Sequence, residues 1–144
     1  VKDASAVPVT VQGLDGTSAR AVALSVGVLT SCAVLDTGAM RCWGSDLVGQ
    51  VGDGGANANA ILAPVPVVGL DGTSNVAVGL SVGYQHACAL LRTGELRCWG
   101  DNSDGQLGIA YSSARAEAND GTSSATTEQS AIYPLLNLNL GWSF

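Results

Sequence analysis

Four groups of residues have types and spacings suited to chemistry. Ser81 stands in Gly79-Leu80-Ser81-Val82-Gly83, the G-x-S-x-G pattern that exposes a serine hydroxyl for acyl transfer when a strand turns sharply into a helix. His86, the only histidine, follows five residues later and is the one side chain suited to act as its base. Asp101-Asn102-Ser103-Asp104-Gly105 puts side-chain oxygens at the positions that open a calcium loop. Cys32, Cys42, Cys88 and Cys98 supply thiols for a metal, for redox chemistry or for disulfides.

Each group has a plainer structural explanation. No helical pattern follows Ser81, and the matching stretch Ala23-Leu24-Ser25-Val26-Gly27 lacks the leading glycine, so Ser81 reads as a buried strand serine. The acidic loop has its glycine one position early and no glutamate where the bidentate ligand belongs, which favours a polar turn. The cysteines lack the close C-x-x-C spacing of a zinc knuckle, and no metal is expected. His86 aligns with Thr30 and is read as a hydrogen-bonded structural residue.

What places these residues is a repeat. Ser25 to Gly52 returns as Ser81 to Gly108, 56 residues on, and from Gly13 to Gly52 the shifted chain is identical at 24 of 40 positions. Such a recurrence signals a repeat architecture. Glycines, a cysteine pair and a tryptophan recur most faithfully; residues able to do chemistry mostly do not.

Composition narrows the function further. Charged residues make up 12% of the 144, with twelve acidic against six basic and a net charge of −6. The arginines are scattered, so no positive stripe exists to displace phosphate counterions, and nucleic acid is not an expected partner. Lys2 is the only lysine, which excludes a P-loop and leaves no lysine for a Schiff base beyond the N-terminus. No stretch approaches the ~18 to 20 apolar residues of a transmembrane helix. The chain opens at Val1 without a signal-peptide pattern, which reads as a processed chain or a part of a longer one.

The elements follow from local pattern. Val7-Pro8-Val9-Thr10-Val11 and Pro64-Val65-Pro66-Val67-Val68 read as outer strands, each opening a unit, because proline is tolerated at a sheet edge. Ala21 to Val26 and Ala77 to Val82 are short, continuous apolar runs, expected to be innermost strands buried on both faces. Ser31 to Leu35 and Ala39 to Trp43, joined by Asp36-Thr37-Gly38, form a hairpin that Ala87 to Trp99 repeats. That register sets Cys32 opposite Cys42 and Cys88 opposite Cys98. Small buried hydrophobes explain any one cysteine; their paired placement favours two cross-strand disulfides and an oxidising compartment. Trp43 and Trp99, each followed by glycine, are read as fillers between packed units, and Gln50 and Gln106 as ties for loop backbone.

Gly83, His86, Ala89, Leu90, Gly94, Trp99, Gly100, Gly105, Gln106, Leu107 and Gly108 together carry a pattern that resembles the regulator-of-chromosome-condensation repeat. The first copy keeps Gly27, Gly38, Trp43, Gly44, Gly49, Gln50 and Gly52 and departs at Thr30 and Val51. The resemblance covers Val7 to Gly108. It implies an all-β fold, a partial β-propeller of two four-stranded antiparallel blades from a seven-bladed ring. The units are expected at 7–60 and 61–110, followed by a low-complexity linker at 111–131 and the truncated start of a further repeat at 132–144. The Cys-Trp-Gly variant with its second cysteine is similar to bacterial-type and extracellular members.

The family's members include a nucleotide exchange factor for the GTPase Ran, chromatin-binding proteins, light receptors, ubiquitin-ligase accessory domains and a secreted β-lactamase inhibitor. The resemblance therefore implies protein binding through loops and leaves the partner unknown. The expected function is a non-catalytic protein-interaction module, secreted or on the cell surface, with no cofactor. The alternative is a cytoplasmic, exchange-factor-like regulator of a small GTPase; a serine hydrolase using Ser81 is the remote one. No ligand-binding residue is singled out. Two units leave two outer faces uncovered, so adjacent repeats of a longer chain, or self-association, are expected to cover them.

Overall fold

The structure, a computed structural model, describes residues 4–108. Seven strands follow in order: β1 (Ala21–Val26), β2 (Thr30–Leu35), β3 (Ala39–Asp46), β4 (Asn57–Asp71), β5 (Ala77–Val82), β6 (His86–Leu91) and β7 (Leu96–Gly100). They form two antiparallel sheets, one ordered β1-β2-β3-β4 and the other β5-β6-β7. The linker expected at 111–131 and the truncated start of a further repeat expected at 132–144 lie outside the described residues.

Turn chemistry sets the hairpins. Gly38, at φ 83°, closes the β2–β3 turn in the left-handed region that a side chain avoids. With that loop length, Cys32 falls opposite Cys42 and Ala33 opposite Arg41. The β6–β7 pair repeats the register, with Cys88 opposite Cys98 and Ala89 opposite Arg97. Upstream of β1 and β5, the repeated Asp-Gly-Thr forms a side-chain-closed turn. Asp15 Oδ1 accepts from the backbone N–H and hydroxyl of Thr17 at 2.9 and 2.7 Å. Asp71 Oδ1 does the same for Thr73 at 2.8 and 2.7 Å.

The outer strands differ from expectation. Val7 to Val11 forms no strand, and Pro64 to Val68 belongs to β4, which closes the first sheet: Arg41 faces Pro66 and Cys42 faces Val65. A boundary between residues 60 and 61 therefore falls inside β4. After β3 the chain doubles back through a glycine-rich loop, where the Val68 N–H bonds to the Gly52 carbonyl at 2.9 Å, and pairing with the strand just left is the local solution. β4 is an edge strand, so Pro64 and Pro66 remove no ladder bond from a second neighbour. The second sheet has three strands among the described residues rather than four.

The core lies between the sheets. Cys32, Val34, Met40 and Cys42 from the first sheet meet Ala77, Ala87, Ala89 and Leu91 from the second, with Leu80, Val82 and Trp99 packed against them. Small residues allow this approach, and at Gly27 a side chain would collide with the Gly83 carbonyl. β1 is not buried on both faces. It is an edge strand, and Val22, Leu24 and Val26 point away from the second sheet into solvent.

Candidate functional site

Two equivalent loops follow the hairpins, at 45–52 and 101–108, and both are held by a glutamine. Gln50 Oε1 accepts from the Val48 N–H at 2.9 Å, and Gln106 Oε1 accepts from the Asp104 N–H at 2.9 Å. Their amide nitrogens donate to Ser45 Oγ at 3.3 Å and Asp101 Oδ2 at 2.9 Å. A second bond runs across each loop: Asp46 Oδ1 accepts from the Val51 N–H at 2.9 Å, and Asn102 Oδ1 from the Leu107 N–H at 3.0 Å. Asp46 is fully buried, and its other oxygen accepts from Asn57 Nδ2 at 3.0 Å. Asp46 was not singled out by sequence; the signal was its alignment with Asn102, which keeps one side-chain oxygen at the same place.

This geometry accounts for the calcium-like oxygens. Asp101 Oδ1 accepts from the Ser103 N–H at 3.1 Å, and Oδ2 accepts from the Ser103 hydroxyl at 2.8 Å as well as from Gln106. The Ser103 hydroxyl, its N–H and the Gln106 amide together hold the Asp101 carboxyl below the usual carboxylate range. Its oxygens are thus satisfied by the loop itself. No group of three or more metal-ligating side chains is assembled among the described residues.

Ser81 lies within β5, and no helix follows it among the described residues. The sharp strand-to-helix turn of a nucleophile elbow is therefore missing there. Its counterpart Ser25 serves as a hydrogen-bond acceptor, taking the Val82 N–H at 3.0 Å across the sheet interface. His86 turns its ring onto Gly83, whereas Thr30 in the same position donates its hydroxyl to the Ser45 carbonyl at 2.9 Å.

Trp99 joins the two units. Its Nε1–H donates to the Gln50 carbonyl at 3.1 Å, and its indole lies against Gly52, where a Cβ would fall 2.6 Å from that nitrogen. Beside it is a cleft of about 320 Å³ bordered by Gly52, Val67, Leu70, Arg97 and Trp99. Arg97 pairs with Glu95 at 2.7 Å and reaches the Gly69 carbonyl at 3.4 Å. That pairing lowers the Glu95 carboxyl from its ordinary value. Disulfides join Cys32 to Cys42 and Cys88 to Cys98. The motif residues thus converge on two loops and one inter-sheet contact rather than on a cluster of reactive groups.

Two twisted antiparallel sheets, stacked face to face and each followed by a glutamine-held loop, make a partial β-propeller. Residues 21–50 and 77–106 each match the regulator of chromosome condensation (RCC1) repeat. The chain thus carries two copies of the repeat from which that family is built. It is 30% identical to the human E3 ubiquitin-protein ligase HERC2 over 112 residues, which is 78% of this chain and 2% of that protein. The mouse protein of the same name matches equally. Among solved structures, human WBSCR16 superposes with a TM-score of 0.55 at 24% identity, covering 72% of this chain and 25% of that one. Yeast RCC1 (Prp20), solved bound to Kap60, gives a TM-score of 0.49 at 17% identity over 58% of this chain and 20% of that one. The chain thus spans a small part of the length of each of these relatives.

Proposed function

We propose that this chain is a non-catalytic protein-interaction module of a secreted or cell-surface protein, presenting the loops of a β-propeller to its partner. The observation that carries this reading is the pair of post-hairpin loops. Both keep one backbone scaffold, held by Gln50 and Gln106, yet one displays exposed Leu47 and Val48 and the other Ser103 and Asp104. A rigid frame with changeable loop side chains is the usual arrangement for recognition. The two disulfides support an oxidising compartment, since cytosolic thiols are kept reduced.

Replacing residues 101–105 by a glycine–serine loop tests the reading. A partner captured from the secreted or surface fraction by the original chain should be lost, while the far-ultraviolet spectrum stays unchanged. Partner capture that is indifferent to both loops would overturn it. Acceleration of fluorescent-nucleotide release from a Ran-type GTPase would instead establish the exchange-factor reading. That outcome is not expected, because the acidic residues of the 101–105 loop do not recur in the equivalent loop of the first repeat as a dedicated site would. Ester hydrolysis abolished by Ser81→Ala would establish the hydrolase reading. Free thiols on material from the protein's own compartment would contradict the extracellular placement.

A further inference from the structure

The loops held by Gln50 and Gln106 meet the β1–β2 and β5–β6 turns at one end of the two sheets. The Ser45 N–H donates to the Leu29 carbonyl and the Asp101 N–H to the Gln85 carbonyl, both at 2.8 Å. Contacts between the sheets make this end continuous. A Cβ at Gly27 would collide with the Gly83 carbonyl, and one at Gly100 would lie 3.2 Å from Gln50 Cα. Val28, Leu47, Val48 and Tyr84 stand on it, 64%, 57%, 38% and 61% exposed. A neighbouring repeat does not cover them. Val28 and Tyr84 are equivalent positions; one is open with a repeat packed after it, the other with a repeat packed before it. Leu47 and Val48 are open although their loop already touches the second sheet through Gln50.

The same end carries one sign of charge. Residues 27–29, 45–52, 83–85 and 101–108 include Asp46, Asp101 and Asp104 and neither Lys, Arg nor His. Asp46 is buried in its loop, whereas Asp104 is exposed. The Ser103 hydroxyl and N–H and the Gln106 amide lower the Asp101 carboxyl below its ordinary value, which keeps it ionised. The described arginines lie elsewhere. Arg20 and Arg92 bond through their backbones to Asp36 and Val76 at the opposite end of the sheets, and Arg41 and Arg97 face Ala33 and Ala89 in mid-sheet. We propose, resting on the loop-binding reading, that this end docks a protein segment whose apolar side chains are flanked by lysine or arginine. The apolar groups cover Leu47, Val48 and Tyr84, and the cations approach Asp101 and Asp104. Buried apolar anchors supply most of the affinity at such a surface, while opposite charge at the rim speeds encounter and rejects acidic partners. Like charge disfavours nucleic acid and anionic membrane.

Selection of displayed random dodecapeptides on the immobilised 144-residue chain, followed by fluorescence anisotropy of the enriched peptides, tests this. The enriched pool should combine aliphatic or aromatic side chains with Lys or Arg and carry net positive charge. Leu47→Ser with Val48→Ser should weaken an enriched peptide about tenfold. Asp104→Asn should weaken it about threefold at low salt and less at high salt. Both loops keep their frame in these variants, since Val48 and Asp104 bond to the glutamines through backbone N–H groups. Leu96→Ser, at an exposed apolar position at the start of β7, far from this end, should change nothing. An acidic or uncharged pool still weakened by Leu47→Ser with Val48→Ser would overturn the partner class and leave the loop-binding reading standing. An empty selection, or peptides indifferent to Leu47→Ser with Val48→Ser, would overturn the docking surface. The loop-binding reading itself fails only if capture of the natural partner survives replacement of both loops.

Discussion

Met40 and Leu96 hold the same position in the two repeats, yet one is sealed between sheets and the other faces solvent. Met40→Ala should cost about 2–5 kcal/mol, as a buried truncation does, whereas Leu96→Ala should stay within about 0.5 kcal/mol as a surface change. Urea melts of dilute protein measure both, and equal costs would show that the covered face has been misassigned. The turn aspartates set the acid limit. Thr73 N–H and hydroxyl donors hold Asp71 below its ordinary 3.8, and Thr17 hydroxyl and N–H donors do the same for Asp15. A depressed folded value means that the unfolded chain binds more protons, so stability is complete above about pH 4 and falls as pH drops through the folded values. Urea midpoints should be flat from neutrality to about pH 5 and decline below pH 4. Asp71→Asn should remove part of that decline; a midpoint that rises on acidification would contradict the assignment. These carboxylates are exposed, so the effect is small.

At the level of elements, the hairpins were legible in the sequence and the outer strands were not. Asp36-Thr37-Gly38 and the cysteine spacing specify one register, because only one turn length sets Cys32 opposite Cys42. The repeat period carries no such information about phase. Pro64 to Val68 can close one unit or open the next without altering a residue, and only its pairing with β3 decides. Burial of β1 was equally out of reach, since an apolar run does not say whether a neighbour exists to cover it. β1 amides should therefore exchange faster than those of β2 and β3, which β1 and β4 flank on either side; protection of Ala21–Val26 matching that of Thr30–Leu35 would contradict the edge position. Cys32 and Cys42 are fully buried, while Cys88 and Cys98 are half-buried. Mild reductant should open Cys88–Cys98 first, and each opened bridge should lower stability by about 2–3 kcal/mol. Earlier loss of Cys32–Cys42, read by alkylation and peptide mapping, would reverse the order of burial.

For the whole molecule, one interface joins the two copies of the repeat among the described residues, with Val67 and Leu70 of β4 completing its first-sheet half. The candidate site was legible only as architecture: Gln50, Gln106, Trp43 and Trp99 were readable as ties and fillers, while the seat of Trp99 on Gly52 and the Gln50 carbonyl required the packing of one sheet on the other. Hydroxyl-radical footprinting in dilute solution compares the two copies position by position. Leu90 and Leu96 should be oxidised while Val34 and Met40 stay protected, although methionine is intrinsically the most reactive of the four. Oxidation of Met40 as fast as that of Leu96 would contradict the packing of one repeat upon the other.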